Sequence, residues 1–332
     1  MLTTYAIIII LSVLLFSCLG TFGLTRLLPM ISLIDHPNER SNHTVPVPRG
    51  GGIAVMFAVI GFLITLGAPS GLILGLFVLA VVSFCDDIHG VPIHWRLYAQ
   101  VVVVTTLLIN LDGSITNHLL PFWAERLLFI PILVWFVNLY NFMDGIDEIT
   151  VVETCTIGGG IVFLGLALMP IPLHLQIEAL IVVAAMLGFW LFNRHPAKIF
   201  LGDVGSIPLG LMVGFLLLRV AANGQWAEAL ILPAYYMVDG SLTLLNRLIK
   251  REKIWQAHSQ HAYQIAVRRG NTHSEVVQQI LALNLILISL AVLAGQGGIY
   301  KIGSILVAYV MALVLRWSFI HTSPVKILPP NA

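Results

Sequence analysis

The chain has 332 residues, of which 58% are hydrophobic and only 10% are Asp, Glu, Lys or Arg. A soluble domain carries about 25% charged residues, so this composition excludes a globular surface wetted on all sides and points to a chain solvated largely by lipid. The formal net charge of +1 excludes a nucleic-acid partner held by a strongly basic surface.

In chain order, residues 6–24 form the first apolar run, long enough for the ~30 Å hydrocarbon layer. No Lys or Arg precedes it, so the positive region of a secretory signal is missing. Bulky Phe16 argues against a lipoprotein box ending at Cys18, and the run reads as a retained helix. Further runs at 52–67, 70–85, 97–110, 126–140, 152–169, 176–192, 207–222, 228–248, 276–294 and 299–318 predict eleven transmembrane helices. The fold class is an all-α polytopic membrane protein, with residues 1–332 forming one domain. Cys18, Cys85 and Cys155 lie in or beside these runs without pair spacing, and read as small buried hydrophobes rather than disulfides or zinc ligands.

Charge orients the helices. Alternating the connections places loops 25–51, 86–96, 141–151, 193–206 and 249–275 on one side. Of the 17 basic residues only Arg126, Arg219 and Lys301 fall on the other. The positive-inside rule makes the basic side cytoplasmic, with a periplasmic N-terminus and a cytoplasmic C-terminus.

Four segments on that side carry more polar chemistry than a scaffold needs. Asp86-Asp87 ends the third helix, where adjacent carboxylates repel and oppose the helix dipole, so a cation should offset them. Asn138, Asn141, Asp144 and Asp147 leave the fifth helix at three-residue spacing, which cannot keep all four on one face. Gly145 is expected to turn the chain there and gather them round a pocket; capping accounts for one or two of these residues. In the stretch from Lys198 to Ser206, glycines flank Asp203, and Ser206 is placed to cap a helix beginning near Pro208. A helix N-terminus beside a carboxylate suits a metal-bound phosphate. The loop 250–275 holds Arg251, His258, His261, Tyr263, Arg268, Arg269 and His273. Its His-x-x-His pair lacks a third zinc ligand, and its basic setting fits a phosphate or anionic lipid heads. Asp239 lies within the ninth helix, with Arg247 two turns on as a candidate partner. Carboxylates, amides and basic groups at one membrane face suit Mg²⁺-assisted chemistry on a diphosphate, one substrate arriving from water and the other from lipid.

The chain resembles the polyprenyl-phosphate N-acetylhexosamine-1-phosphate transferases of glycosyltransferase family 4. The resemblance runs through Ser41…His43…Pro48-Arg49-Gly50-Gly51-Gly52, Asp86-Asp87, Asn138-x-x-Asn141-x-x-Asp144-Gly145-x-Asp147 and Pro196-Ala197-Lys198-x-Phe200-x-Gly202-Asp203-x-Gly205-Ser206. It continues through Asp239 and His258-x-x-His261-Ala262-Tyr263-Gln264. It implies attack by an undecaprenyl or other polyprenyl phosphate on the β-phosphorus of a UDP-N-acetylhexosamine, with release of UMP, in the bacterial inner membrane. It implies Mg²⁺, or Mn²⁺, held by Asn141 and Asp203, and uridine contacts from Phe200 and Asp147. By the same resemblance Arg49, Asn138, Asp144, Lys198, Ser206 and Arg268 bind substrate, and Asp86, Asp87, His258 and His261 are catalytic. Asp86 looks like the residue that positions or deprotonates the lipid phosphate. A phosphate monoester is already largely dianionic at neutral pH, which favours Asp86 and Asp87 as electrostatic organisers over a general base.

Two departures bear on the sugar. Gly90 stands where many relatives have a third carboxylate, and the last motif has fewer histidines. That version resembles O-antigen initiators using 6-deoxy-N-acetylhexosamines such as FucNAc or QuiNAc. The implied partners are the UDP-sugar, the polyprenyl phosphate and membrane lipid, with a homodimer as a permitted assembly. The rivals are a membrane prenyltransferase, which calls for a second Asp-rich repeat, and a transporter, which calls for polar sites near the midplane.

Overall fold

A computed structural model describes residues 4–37, 42–167, 170–253, 256 and 258–322. Ser41 of the first motif, and the basic residues Arg40 and Lys326, lie outside the described residues. The chain is a helical bundle. Its helices are α1 (Thr4–Met30), α2 (Gly52–Thr65), α3 (Ser70–His89), α4 (Ile93–Ile109), α5 (Phe122–Phe142), α6 (Ile149–Leu166) and α7 (Leu173–Asn193). They continue as α8 (Asp203–Ala222), α9 (Trp226–Ile231), α10 (Ala234–Ile249), α11 (Ala262–Arg268), α12 (His273–Ala294) and α13 (Ile299–His321). The sheet is one antiparallel pair, β1 (Ile34–Asp35) with β2 (Val47–Pro48).

Among the described residues every predicted apolar run is helical over most of its length, and eight helices are long and apolar enough to cross a membrane. The protein is a multi-pass membrane protein. The helices α2 and α4 are apolar but shorter than these eight. The run expected as one ninth helix is broken into α9 and α10 at Pro233, whose ring lacks the N–H an unbroken helix needs. The loop expected at 250–275 is partly helical, since α11 lies inside it and α12 starts at His273.

The arrangement follows from which faces are apolar. The outer helices expose large side chains such as Phe57, Leu74, Leu127 and Leu306, as a lipid-facing surface requires. Helix α8 is the buried axis, packed by α3, α5 and α2, with almost no exposed position. Gly210 and Gly214, one turn apart, let its backbone lie directly against Val137, Tyr140, Leu133 and Phe136 of α5. The N-terminal end of this axis, at Asp203, is where the polar segments converge.

Candidate active site

Helix α8 starts at Asp203, five residues earlier than the expected start near Pro208. The reason is a partner distant in sequence. The carboxylate of Asp87, from the last turn of α3, accepts the Val204 N–H at 3.0 Å and the Asp203 N–H at 3.4 Å. Those are the orphan donors of a helix N-terminus, and a carboxylate there also meets the positive end of the helix dipole. Ser206 therefore sits within the first turn rather than at the cap. Its hydroxyl donates to the Gly202 carbonyl (3.2 Å) and accepts from Asn141 Nδ2 (2.9 Å).

The strand β2 and its glycines dock on the same place. The backbone N–H groups of Gly50 and Gly51 donate to the Phe200 carbonyl, and that of Gly52 donates to Leu201. A Cβ on Gly52 would collide with the backbone of Gly205, so this close approach needs glycine on both sides. The docking carries Arg49 into the acidic cluster, 2.7 Å from Asp87 and 2.6 Å from Asp203. Burial by itself would lower the Arg49 pKa; Asp203 and Asp87 outweigh it and raise it. Arg96 of α4 pairs with Asp86 at 2.5 Å and reaches Asp203 at 3.7 Å. The other Asp86 oxygen accepts the Val91 N–H at 2.7 Å.

After α5 the chain turns sharply. The left-handed residue is Glu148 (φ 69°), not Gly145 as expected; Gly145 supplies the space under the Tyr263 hydroxyl. A non-glycine residue in this conformation is strained, and Glu148 is held by several hydrogen bonds. Its N–H donates to Asn193 Oδ1, and its carboxylate accepts from Trp190 Nε1 and the His195 N–H. The turn aims Asp144 and Asp147 inward. Burial pushes Asp144 up to about 7, with the charge of Asp203 adding to it, although Thr150 Oγ1 donates to its carboxylate at 2.5 Å. Asp147 is the opposite case. Burial would raise it, but hydrogen bonds and charge from His273 and His195 bring it below the ordinary carboxylate value.

These pieces enclose a cavity of about 640 Å³. Of the residues singled out in the sequence, Arg49, Asn141, Asp144, Asp147, Phe200, Asp203 and Ser206 line it. Asp86 and Asp87 brace its rim through the two arginines. Asn138 is elsewhere, in an amide pair with Gln100 of α4 (Nδ2 to Oε1, 2.6 Å). Lys198 and Arg268 are exposed and are not among the lining residues. Nor are His258 and His261, whose rings stack 4.9 Å apart beside Tyr263. Burial and neighbouring charges lower His258 to about 4 and His261 to about 3, so both are neutral at pH 7. Asp239 does not pair with Arg247. It accepts the Ala262 and Tyr263 N–H groups at the start of α11 and lies 3.4 Å from Arg316, while Arg247 pairs with Glu252.

Sequence reasoning missed Arg96, Asn42, Asn193 and His195 as site residues. His195 had a local signal, since it directly precedes the Pro196 motif. Arg96 had none, because its role depends on α4 packing beside α3.

The donor set can be tested against a hard divalent cation. Asp203, Asp144 and Asn141 offer oxygen donors on one cavity, and Asn141 is oriented because its Nδ2 is committed to Ser206. Asp86, Asp87 and Asp203 face two guanidiniums (Arg49, Arg96), and Asp144, pushed up to about 7 by burial, adds a further carboxylate that a cation would hold ionised. Such a set fits Mg²⁺ or Mn²⁺.

Fold and site thus define a helical membrane protein with an acidic, arginine-braced cavity at one end of its bundle. The model of glycosyl transferase family 4 matches residues 70–221, the stretch from α3 to α8 that builds most of this cavity. A probable undecaprenyl-phosphate N-acetylglucosaminyl 1-phosphate transferase of Bacillus subtilis is 25% identical, over 79% of this chain and 77% of that protein. A decaprenyl-phosphate N-acetylglucosaminephosphotransferase of Mycobacterium tuberculosis is 24% identical, over 74% of this chain and 72% of that protein. From α3 to α8 the chain is thus similar to glycosyl transferase family 4, and its motifs resemble those of polyprenyl-phosphate N-acetylhexosamine-1-phosphate transferases.

Proposed function

We propose that the protein transfers an N-acetylhexosamine 1-phosphate from a UDP-sugar to a polyprenyl phosphate, undecaprenyl phosphate in the bacterial inner membrane, and releases UMP. The observation that carries this reading is the convergence of Asn141, Asp144, Asp147, Phe200 and Asp203 on one cavity at the end of a lipid-facing bundle. In the balanced reaction an oxygen of the lipid phosphate bonds to the β-phosphorus, and the bond from that phosphorus to the bridging oxygen breaks. The electron pair leaves on UMP.

Asp203 and Asn141, with Asp144, would hold Mg²⁺, which when bound neutralises diphosphate charge. The chain's own residues do the rest. Arg49 and Arg96 bring fixed positive charge to the cavity rim, and Asp86 and Asp87 hold those arginines in place. Both aspartates are committed to ion pairs, which supports their reading as organisers rather than bases. Phe200 presents an aromatic ring braced by His43 (centroids 4.9 Å apart), a surface on which a uracil can stack, with Asp147 beside it as a hydrogen-bond acceptor. His258, His261 and Asp239 shape the 250–275 segment, through which Gln264 reaches the cavity.

The product would initiate a lipid-linked envelope glycan on the cytoplasmic face. Gly90 and the His258–Gln264 motif support a 6-deoxy-N-acetylhexosamine donor of the O-antigen type. The relatives' names make UDP-N-acetylglucosamine the second reading. A panel of UDP-sugars with undecaprenyl phosphate and Mg²⁺, assayed with purified folded protein, tests both. UMP release with one N-acetylhexosamine donor is expected, and no release with any of them would refute the assignment.

A further inference from the structure

A second group of ligand-type atoms lies on the cavity wall, separate from the Asp203 set. Asp147 Oδ2 is 2.6 Å from His195 Nδ1 and 3.1 Å from His273 Nδ1, and the three residues' ligand atoms lie within 4.8 Å of one another. They come from three segments, the turn after α5, the start of the α7–α8 connection and the first residue of α12. We propose that Asp147, His195 and His273 form a binding site for a borderline transition-metal cation of the Zn²⁺ class.

The geometry supports this in three ways. First, two imidazole nitrogens and one carboxylate oxygen make the donor set of a three-ligand zinc site. The all-oxygen Asp203 group selects Mg²⁺ instead, so the two sites discriminate by chemistry. Second, the supporting contacts have the form expected around a metal-binding histidine. His273 Nε2 lies 3.0 Å from the Asn42 carbonyl oxygen and would keep its N–H there, while Nδ1 would exchange its contacts with Asp147 Oδ2 (3.1 Å) and the Asp147 N–H (3.3 Å) for the cation. Asp147 Oδ2 is steadied in turn by the Ala197 N–H at 3.2 Å. Third, Asp147 and His273 line the cavity, so a fourth ligand can come from water or from a molecule bound there. Metal–ligand bonds of about 2.0–2.2 Å put tetrahedral ligands a little over 3 Å apart, so His195, 2.6 Å from Asp147 Oδ2, would swing outward. It is free to do so, its side chain being 36% exposed.

The test uses full-length, tag-free protein in nanodiscs, stripped with chelator and kept in excess Mg²⁺. Zn²⁺ is titrated by calorimetry, and Co²⁺ by its visible absorption. The expected result is one equivalent of Zn²⁺, with four-coordinate Co²⁺ bands that Mg²⁺ does not displace. His195→Ala should weaken binding by more than about 100-fold, and Asp203→Asn should leave it unchanged. His273→Ala should also lose binding; if it fails to fold, the exposed position of His195 keeps the test intact. No Zn²⁺ uptake, or uptake unaffected by His195→Ala, would overturn the site. So would uptake abolished by Asp203→Asn, which would assign the cation to the other group. These readouts do not depend on phosphotransfer.

Discussion

The two polar ends of the bundle hold charge in different ways. At the end beside the 111–116 loop, Arg126 is buried and both of its terminal nitrogens are bonded within the fold. Its guanidinium donates to Glu125 at 2.6 Å and to the Leu111 and Gly113 carbonyls at 2.8 and 2.9 Å. The second Glu125 oxygen accepts from Ser114 Oγ, the Thr116 N–H and Thr116 Oγ1. Arg219 and Glu178 close a second pair nearby. At the other end carboxylates outnumber guanidiniums and face an open cavity of about 640 Å³. Buried charge paired within the fold is balanced there, whereas charge left in excess beside a cavity is available to a ligand.

The comparison can be broken most sharply at Asp203. Asp203→Asn should cut phosphotransfer by about 10³-fold or more, as for removal of a principal electrostatic contact in a transition state, with little change in melting temperature. Near-normal activity would remove Asp203 from the reacting centre. Arg126→Met should do the reverse. It strands the buried Glu125 and should cost about 3–5 kcal/mol of stability, read as a lower midpoint of thermal unfolding in detergent. The donor KM of the surviving folded fraction should be unchanged; a raised KM would mean that the two ends are coupled. Gly52→Ala forces β2 away from α8 and should cost about 1–3 kcal/mol and lower kcat, because Arg49 moves with the strand.

The smallest effect is a pH slope at Asp144. Its folded pKa, about 7, lies above the ordinary carboxylate value. Between about pH 4 and pH 7 the unfolded chain therefore releases a proton that the folded chain keeps, so this group makes stability fall as pH rises. The expectation is that metal-free Asp144→Asn gains stability relative to the parent as pH rises to 7, and that Mg²⁺ narrows the gap. Parallel unfolding midpoints across that range would refute it.

Hydropathy made the helices legible, because each apolar run is long against its flanking polar loops. It missed the break at Pro233, where a visible proline sat inside a run apolar enough to be counted as one span. The α8 start was hidden for a different reason. Its cap is Asp87, over a hundred residues away, and local cap signals pointed to Ser206 instead. The motif carboxylates and amides were readable because their density exceeds what capping needs. Asn138, Lys198, His258 and His261 belong to the same motifs yet lie off the cavity wall, as does Arg268 of the basic loop, since sequence position does not say where a side chain lands. Arg96 was invisible for the converse reason, since its importance arises only when α4 packs beside α3, whereas His195 had only its place before the Pro196 motif to mark it.

Transfer of a phospho-sugar at the open end of the bundle can be followed atom by atom. The most direct measurement follows the β-phosphorus of a UDP-N-acetylhexosamine labelled there with ³²P, incubated with undecaprenyl phosphate, Mg²⁺ and the protein in nanodiscs. Label is expected to move into the organic-soluble lipid while unlabelled UMP appears in the aqueous phase. Label remaining in a released UDP, with only the sugar on the lipid, would contradict it.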